Sequence, residues 1–410
     1  MLWSLALNYL VKSGDLTVID AGGVTHRFGV TGQKPKSVIK LHDGKLHKQL
    51  FFYPELYLGE AWMDGTLTVE EGGLEDFLTL LATNFAVSKP TIFEKIAEAF
   101  APVTQRILQY NPVGVAQKNV APHYDISDAL YELMLDRDMH YSCAYFTDPT
   151  NSLEQAQQDK LMHIAAKLAL EPGMRVLDIG SGWGGMAMYL ARNYDVDVTG
   201  VTLSGEQALK ATQRVKDAGL EQKVRFLQKD YRHLDATFDR IVSVGMMEHV
   251  GAARYRELFT RVNGLLKPRG VALFHCIGRL DGPGNTNPWL RKYIFPGGYA
   301  PALSEVTKAV EKTGLLMTDI EILRLHYAYT LAEWLKRFRA NRDAIARLYD
   351  ERFCRMFEFY LLSCEMDFRY LSTMVFQMQL TNDVNALPIC RDYMCSPVTP
   401  PNGGARQSRD

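Results

Sequence analysis

With 410 residues, 47% of them hydrophobic and 23% charged, the chain is long enough for two domains and a substantial core. A formal net charge of −1 excludes a globally basic nucleic-acid binder. The six cysteines (Cys143, Cys276, Cys354, Cys364, Cys390 and Cys395) show neither zinc-ligand spacing nor a disulfide framework, so free thiols in a reducing compartment are expected and no metal site is read.

Residues 2–11 are apolar, but no basic leader precedes them, no small-residue cleavage site follows, and they are too short to span a bilayer. They read as the first helix of a cytoplasmic protein. From Asp15 to about Leu67, short alternating runs at 16–19, 38–41 and 66–69 read as strands, separated by the turn signals Ala21-Gly22-Gly23, Asp43-Gly44 and Asp64-Gly65. Residues 74–85 and 91–110 have helical spacing. Together these predict a small α+β amino-terminal domain over residues 1–113, ending near Asn111-Pro112-Val113-Gly114.

A helical connector at 123–134 places Ile126, Leu130, Leu133 and Met134 on one face. A compact polar and aromatic stretch follows, Met139-His140-Tyr141-Ser142-Cys143-Ala144-Tyr145-Phe146, and then a helix over 153–168. Next comes Arg175-Val176-Leu177-Asp178-Ile179-Gly180-Ser181-Gly182-Trp183-Gly184-Gly185, a β-branched run, a tight glycine turn and a helix start. Glycines suit a place where backbone approaches a ligand too closely for a Cβ. Strands at 196–201, 224–227, 240–244 and 271–275 then alternate with helices at 206–218 and 255–266, the order of a doubly wound parallel sheet. The remainder reads as helical and aromatic to about residue 380, within a catalytic domain of residues 114–395. Residues 396–410, with three prolines and two adjacent glycines, read as a disordered tail.

A dinucleotide site would carry an acid at the end of the second strand, where this chain reads Val201-Thr202-Leu203-Ser204. Its acids lie elsewhere: Asp178 precedes the glycines and Asp230 closes the third strand. Asp178-Ile179-Gly180-Ser181-Gly182 resembles the first motif of class I S-adenosylmethionine-dependent methyltransferases, which have a Rossmann-like doubly wound sheet. That resemblance implies that the turn through Gly180, Gly182 and Gly184 accommodates the methionine part of the cofactor and that Asp230 contacts its adenine. The competing readings are a nicotinamide enzyme and a turn that only packs helix on sheet. After the fourth strand the chain reads Gly245-Met246-Met247-Glu248-His249-Val250-Gly251, where amino-methylating nucleic-acid enzymes carry Asn/Asp-Pro-Pro-aromatic, so nucleic acid is not the expected substrate.

Glu248 and His275 fall at the carboxyl ends of two strands expected to be neighbours, and Cys143 adds a third polar group. Tyr141-Ser142-Cys143-Ala144-Tyr145, Phe274-His275-Cys276-Ile277-Gly278, residues 289–298 (Trp289 to Gly298) and His326-Tyr327-Ala328-Tyr329-Thr330-Leu331 occur in order with the motifs above. Together they resemble the cyclopropane-fatty-acyl-phospholipid synthase family, which includes the mycolic acid cyclopropane synthases. The resemblance runs from His123 to about Phe376 and, more weakly, into Leu58-Gly59-Glu60-Ala61-Trp62-Met63-Asp64-Gly65. It implies a bicarbonate ion held by Cys143, Glu248, His275, the backbone N–H of Ile277 and Tyr327. It also implies S-adenosylmethionine held by Tyr141, Ser142, Gly180, Gly182, Thr202, Gln207 and Tyr231, beside Asp178, Gly184 and Asp230. Tyr231 stands where the mycolic branch has Trp, and Asp128 where the family commonly has Asn.

The implied reaction adds a methylene across cis double bonds of membrane phospholipid acyl chains, through a carbocation from which the bound bicarbonate removes a methyl proton. Water must be kept from that cation, and Tyr141, Tyr145, Phe146, Phe295 and Tyr299 are candidate aromatic walls. Glu248 as direct base is the rival mechanism, a methyl-branched chain the rival product, and a small-molecule methyltransferase the rival activity. Contact with the inner face of the membrane is expected to be peripheral. Two segments are candidates for it: the amino-terminal domain, and the basic aromatic helix of residues 334–348, whose pattern equally suits an ordinary helix with its aromatics in the core. The resemblance also implies a possible homodimer.

Overall fold

The computed structural model describes residues 3–87 and 127–395. The first part is a four-stranded sheet of β1 (Asp15–Ile19), β2 (Thr25–Gly29), β3 (Lys36–Leu41) and β4 (Leu67–Glu71), in the order β2-β1-β3-β4. Leu16, Val18, Ile39 and Leu41 point to one side and are fully buried there, the period-two pattern that made these strands legible. Helices α1 (Trp3–Leu10), α2 (Leu46–Phe52), α3 (Pro54–Met63) and α4 (Gly73–Val87) cover that side. The sequence reading of 15–67 as strands and turns missed β2, α2 and α3. In β2 only Phe28 is buried, so it lacks an apolar alternation, and α2 buries only the pair Leu46 and Leu50, one helical turn apart.

The second part is a seven-stranded sheet of β5 (Arg175–Ile179), β6 (Asp197–Thr202), β7 (Val224–Gln228), β8 (Phe238–Val244), β9 (Leu266–Arg279), β10 (Leu316–Ile322) and β11 (Thr373–Thr381). Its order is β10-β11-β9-β8-β5-β6-β7. Strands β5 to β9 run parallel, as expected, with α5 (Asp128–Met134), α6 (Leu153–Leu168), α7 (Gly185–Tyr194), α8 (Gly205–Asp217) and α9 (Tyr255–Leu265) around them. The reading of everything after residue 276 as helical is corrected. β11 inserts antiparallel between β9 and β10, and β9 itself runs fourteen residues to Arg279. In β11 the polar Gln377, Gln379 and Thr381 alternate with apolar residues and yet are buried too, so no exposed face marks the strand.

The other helices are α10 (Pro288–Tyr293), α11 (Leu303–Val310), α12 (His326–Ala340), α13 (Arg342–Leu348), α14 (Glu351–Tyr370) and α15 (Asp392–Cys395). The basic aromatic segment 334–348 is two helices, broken at Asn341. Trp334, Leu335, Phe338 and Ile345 are in the core, and Arg337, Arg339 and Arg342 pair with Glu154, Glu358 and Glu351. It offers no apolar face to a lipid surface. Among the described residues no helix is long and apolar enough to cross a membrane. The expected helix at 91–110, the boundary near 113, the start of the connector at 123–126 and the tail at 396–410 lie outside the described residues.

One apolar cluster runs without a break from Leu7 and Val18 to Tyr327 and Phe357, so the small sheet shares a core with helices α12 and α14. The join is specific. Trp62 Nε1 donates to the Arg355 carbonyl (3.0 Å), Arg355 Nε donates back to the Trp62 carbonyl (2.6 Å), and the guanidinium lies 4.4 Å over the indole. At the same face Gly59 of α3 abuts Trp289 of α10; a Cβ there would lie 2.4 Å from the indole nitrogen. Alanine favours a helix by about 1 kcal/mol over glycine, but this overlap costs about 1–3 kcal/mol. Gly59→Ala should therefore lower the thermal midpoint, and a midpoint equal to or above wild type would show that this contact does not join the two units.

Candidate active site

The strand order reverses beside β5, whose neighbours are β6 and β8, and at the carboxyl ends of these three strands lies a cavity of about 750 Å³. Such a switch point is where open α/β sheets leave a crevice. At its floor Gly180 has φ +81°, a left-handed conformation, and a Cβ there would meet Met246 Cβ at 2.9 Å. Gly182 opens onto the cavity with nothing within 4 Å of a would-be Cβ. Gly184 is the exception to the expected set: it does not line the cavity, and it lets α7 start against Phe226, which a Cβ would meet at 2.5 Å.

The other residues expected to hold the cofactor do line it. Tyr141, Ser142, Asp178, Gly180, Gly182, Thr202, Gln207, Asp230 and Tyr231 are all in its wall. The Thr202 hydroxyl donates to Gln207 Oε1 (2.9 Å), which fixes which way the amide faces. Asp230 is engaged by its neighbour, accepting from Arg232 N, Nε and Nη2 at 2.9, 3.0 and 2.6 Å. Asp178 is buried, burial pushes its carboxyl up to about 7, and Oδ2 has no hydrogen-bond partner. Ser181 Oγ and His140 Nε2 also lack partners. His140 Nδ1 lies 2.8 Å from Asp136 Oδ2, so its Nε2 presents a lone pair.

Sequence reasoning missed Lys160. It lies on the buried stripe of α6 with Leu153, Ala156, Gln157 and Ile164, is only 1% exposed, and lines the same cavity. Its Nζ donates to Ser142 Oγ (3.0 Å), and burial pulls its pKa down to about 8. A lysine inside an apolar helical stripe was the available signal.

A second polar group lies outside the cavity wall: Cys143, Glu248, His275, Ile277 and Tyr327 are not among its lining residues. His275 and Ile277 are two apart on β9, and Glu248 on the turn after β8 accepts the Ile277 N–H at 2.8 Å. Its other oxygen has no partner, and burial pushes the carboxyl up to about 7. His275 faces Gln377 of β11 (Nδ1 to Nε2, 3.2 Å), a partner hidden from the sequence because its strand was. With the amide donating to Nδ1, the ring proton sits on Nε2, which has no partner; burial holds the imidazole neutral, well below its usual pKa. Burial likewise pushes the Cys143 thiol and the Tyr327 phenol up, and both Cys143 and Glu248 act on Tyr327 electrostatically. The Ala144 N–H donates to Thr330 Oγ1 (3.0 Å), one turn along α12 from Tyr327, and so ties the Cys143 loop to this cluster.

Aromatic rings run from the cavity to this cluster. Tyr131, Tyr141, Trp334, Tyr327 and Phe368 follow one another at centroid distances of 4.9, 5.0, 5.8 and 4.7 Å. Of the five aromatics expected at the site, Tyr141 and Phe295 line the cavity. The other three serve elsewhere. Tyr145 is stacked between His163 and His326, Phe146 meets Tyr329 edge-on, and Tyr299 is a core residue whose N–H donates to the Glu248 carbonyl at 2.9 Å.

The chain is similar to known proteins over most of its length. A family model described as mycolic acid cyclopropane synthetase matches residues 114–378. The chain is 39% identical over 364 residues to cyclopropane-fatty-acyl-phospholipid synthase of Escherichia coli, covering 88% of this chain and 92% of that one. It is 35% identical over 341 residues to tuberculostearic acid methyltransferase UfaA1 of Mycobacterium tuberculosis, covering 79% and 78%. Among solved structures, mycolic acid cyclopropane synthase CmaA1 complexed with SAH and CTAB superposes with a TM-score of 0.61 at 34% identity, over 67% of this chain and 99% of that one.

Two outcomes follow from the site's geometry. A side chain at Gly180 adds left-handed strain of about 1–2 kcal/mol to the contact with Met246, so Gly180→Ala should weaken S-adenosylhomocysteine binding about 10-fold or more by calorimetry; unchanged affinity would remove the turn from the site. Glu248 ionises near 7 in the folded chain against a usual 4.5, so the folded state is penalised as pH rises through this window and fully above it. Glu248→Gln keeps the acceptor for Ile277 and should stabilise the protein by roughly 3 kcal/mol near pH 8, with the gain shrinking toward pH 5. Melting curves of variant and wild type that coincide at every pH would contradict this.

Proposed function

The chain belongs to the mycolic acid cyclopropane synthetase family, and from that membership we propose that it transfers a methylene from S-adenosylmethionine to cis double bonds of phospholipid acyl chains, closing a cyclopropane ring with bound bicarbonate as base. The observation that carries this reading is the buried cluster around Glu248. His275 Nε2–H, the Cys143 thiol and the Tyr327 phenol are uncharged donors, beside a carboxylate oxygen with no partner; the Ile277 N–H, expected to hold the same ion, is already given to the other Glu248 oxygen. Such a set suits a small oxyanion: several donors for its oxygens, and Glu248 to accept from its hydroxyl. None of these three donor groups is itself a strong base near neutral pH.

The cavity fits the cofactor on the same kind of ground. Asp178 Oδ2, Ser181 Oγ and His140 Nε2 are buried polar atoms without partners, and an amino-acid headgroup would satisfy them. S-adenosylmethionine supplies a methyl made electrophilic by its sulfonium, and bicarbonate a base that carries no protein pKa. The chain's own residues do the rest. Gly180 and Gly182 allow close backbone approach, and Thr202 and Gln207 fix one end by their mutual hydrogen bond. The rings of Tyr141, Trp334, Tyr327 and Phe368 exclude water from the reacting alkene and present π faces to developing positive charge.

The finer assignments belong to the same proposal. Residues 114–395 carry the chemistry, in keeping with a family match that starts at 114, and residues 1–113 dock on the inner face of the membrane by peripheral contact, as a homodimer. The 35% identity to a tuberculostearic acid methyltransferase supports a second reading for the product, a methyl-branched chain formed if the proton leaves from elsewhere than the new methyl.

The test is purified protein with S-adenosylmethionine and vesicles of a monounsaturated phospholipid, with and without bicarbonate, followed by mass spectrometry and proton NMR of the acyl chains. A gain of CH₂ with loss of alkene protons and new upfield ring protons, stimulated by bicarbonate, is expected. Glu248→Gln should lower turnover about 100-fold or more while leaving S-adenosylhomocysteine binding in place. A CH₂ gain with the alkene retained would assign the branched product. Unchanged chains in a protein that binds cofactor would end the lipid reading.

A further inference from the structure

Lys160 is a cation without a counter-ion. It is buried, its ammonium has three donors, and the one hydrogen bond it makes goes to the neutral Ser142 hydroxyl. Among the described residues its ammonium makes no hydrogen bond to a carboxylate. Three acidic groups act on it through space: Asp136, Cys143 and Asp178. Asp136 is occupied by His140 and by the N–H groups of Asp138 and His140, and the Cys143 thiol stays protonated because burial pushes it up. Asp178 lines the same cavity as Lys160, feels its charge, and keeps one oxygen without a partner. A buried lysine and a buried aspartate thus face one space without closing on each other. Isolated buried charges are costly. The arrangement is complementary to a zwitterion whose carboxylate meets the lysine and whose ammonium meets the aspartate.

We propose that Lys160 is the positioning residue for the α-carboxylate of the cofactor's methionine, held in place by Ser142, and that Asp178 receives the α-ammonium. The inference rests on the cofactor reading above and adds to it a charged anchor at the methionine end. The consequence is specificity: the site selects an intact amino-acid tail, and the sulfonium is placed by a contact at the far end of that tail. Lys160 itself touches none of the reacting atoms.

Calorimetry on the full chain tests this with two probes, S-adenosylmethionine and its decarboxylated analogue, which shares the sulfonium and lacks the carboxylate. Lys160→Met should lose about 10–100-fold in affinity for S-adenosylmethionine and little for the analogue, so that the discrimination of the wild type collapses. Removing an unpaired buried ammonium should leave the thermal midpoint of the free protein equal or higher, which separates lost binding from lost fold. If Lys160→Met does not fold, Lys160→Gln, which keeps a donor for Ser142, gives the same readout. An unchanged ratio between the two probes overturns the proposal. So does a variant whose ratio is unchanged but whose vesicle activity needs more bicarbonate, since Lys160 would then serve that anion. Wild-type protein that bound neither probe would remove the cofactor reading itself, and this inference with it.

Discussion

Water has been withdrawn from a row of ionisable groups at one end of the large sheet, and the groups respond by giving up charge. The Cys143 thiol and the Tyr327 phenol are held protonated, His275 is held neutral, and Glu248 is moved to about 7. Desolvation is the first cause in every case, and it reaches this far because the cluster is enclosed by β9, β11 and the aromatic helices α12 and α14. Neutral donors can hold an anion that a charged environment would bind too tightly or protonate outright. The same enclosure protects a cation from hydration. In the proposed mechanism, one constraint would therefore serve both the base and the electrophile.

That constraint explains the length of β9. A strand ending at His275, as its apolar run suggested, would leave Ile277 without a fixed amide for Glu248. Strand β11 pairs with β9 from Val271 to Arg279 and holds His275 opposite Gln377. The sequence showed the chemical residues more plainly than the elements that hold them. Cys143, Glu248, His275 and Tyr327 lie in motifs a resemblance can match, and the parallel strands carry continuous β-branched runs. β11 is an interior strand: its residues alternate from Phe376 to Thr381, but the polar ones find partners inside, and the sequence reading took the alternation for part of a helical region. Lys160 was hidden for the same reason, a polar residue on a face read only for its apolar members. Gly184 shows the converse: a glycine in the motif serves packing against Phe226 and leaves the cavity to Gly180 and Gly182.

The small sheet is part of this economy of water. Its helix α3 covers Trp289, and the side chains of Trp62 and Arg355 each donate to the other's backbone carbonyl across the join. Arg355 belongs to α14, whose Tyr360 shares a hydrogen bond with Tyr141 at 2.8 Å, and Tyr141 lines the cavity. The path from the small sheet to the cavity is thus one helix and one pair of phenols. Arg337, Arg339 and Arg342 of the 334–348 segment are paired with Glu154, Glu358 and Glu351 elsewhere in the fold, and its aromatics are in the core, so it is an ordinary buried-face helix pair.

The separation of Lys160 from Asp178 is the least intuitive feature of the cavity. A direct ion pair would stabilise the empty protein, since each charge would then be compensated. It would also have to be broken before an amino-acid tail could enter, and part of the binding free energy would be spent on that break. Three features keep them apart. Asp178 is fixed in β5, Lys160 projects from α6, and Ser142 takes one of the lysine's donors. Each charge is left partly uncompensated, the lysine near 8 and the aspartate near 7, so that a ligand with two opposite charges at the right spacing gains what the protein forgoes. Preorganised, unsatisfied polarity of this kind favours the ligand over water in the same space, because water can bring hydrogen bonds but no charge.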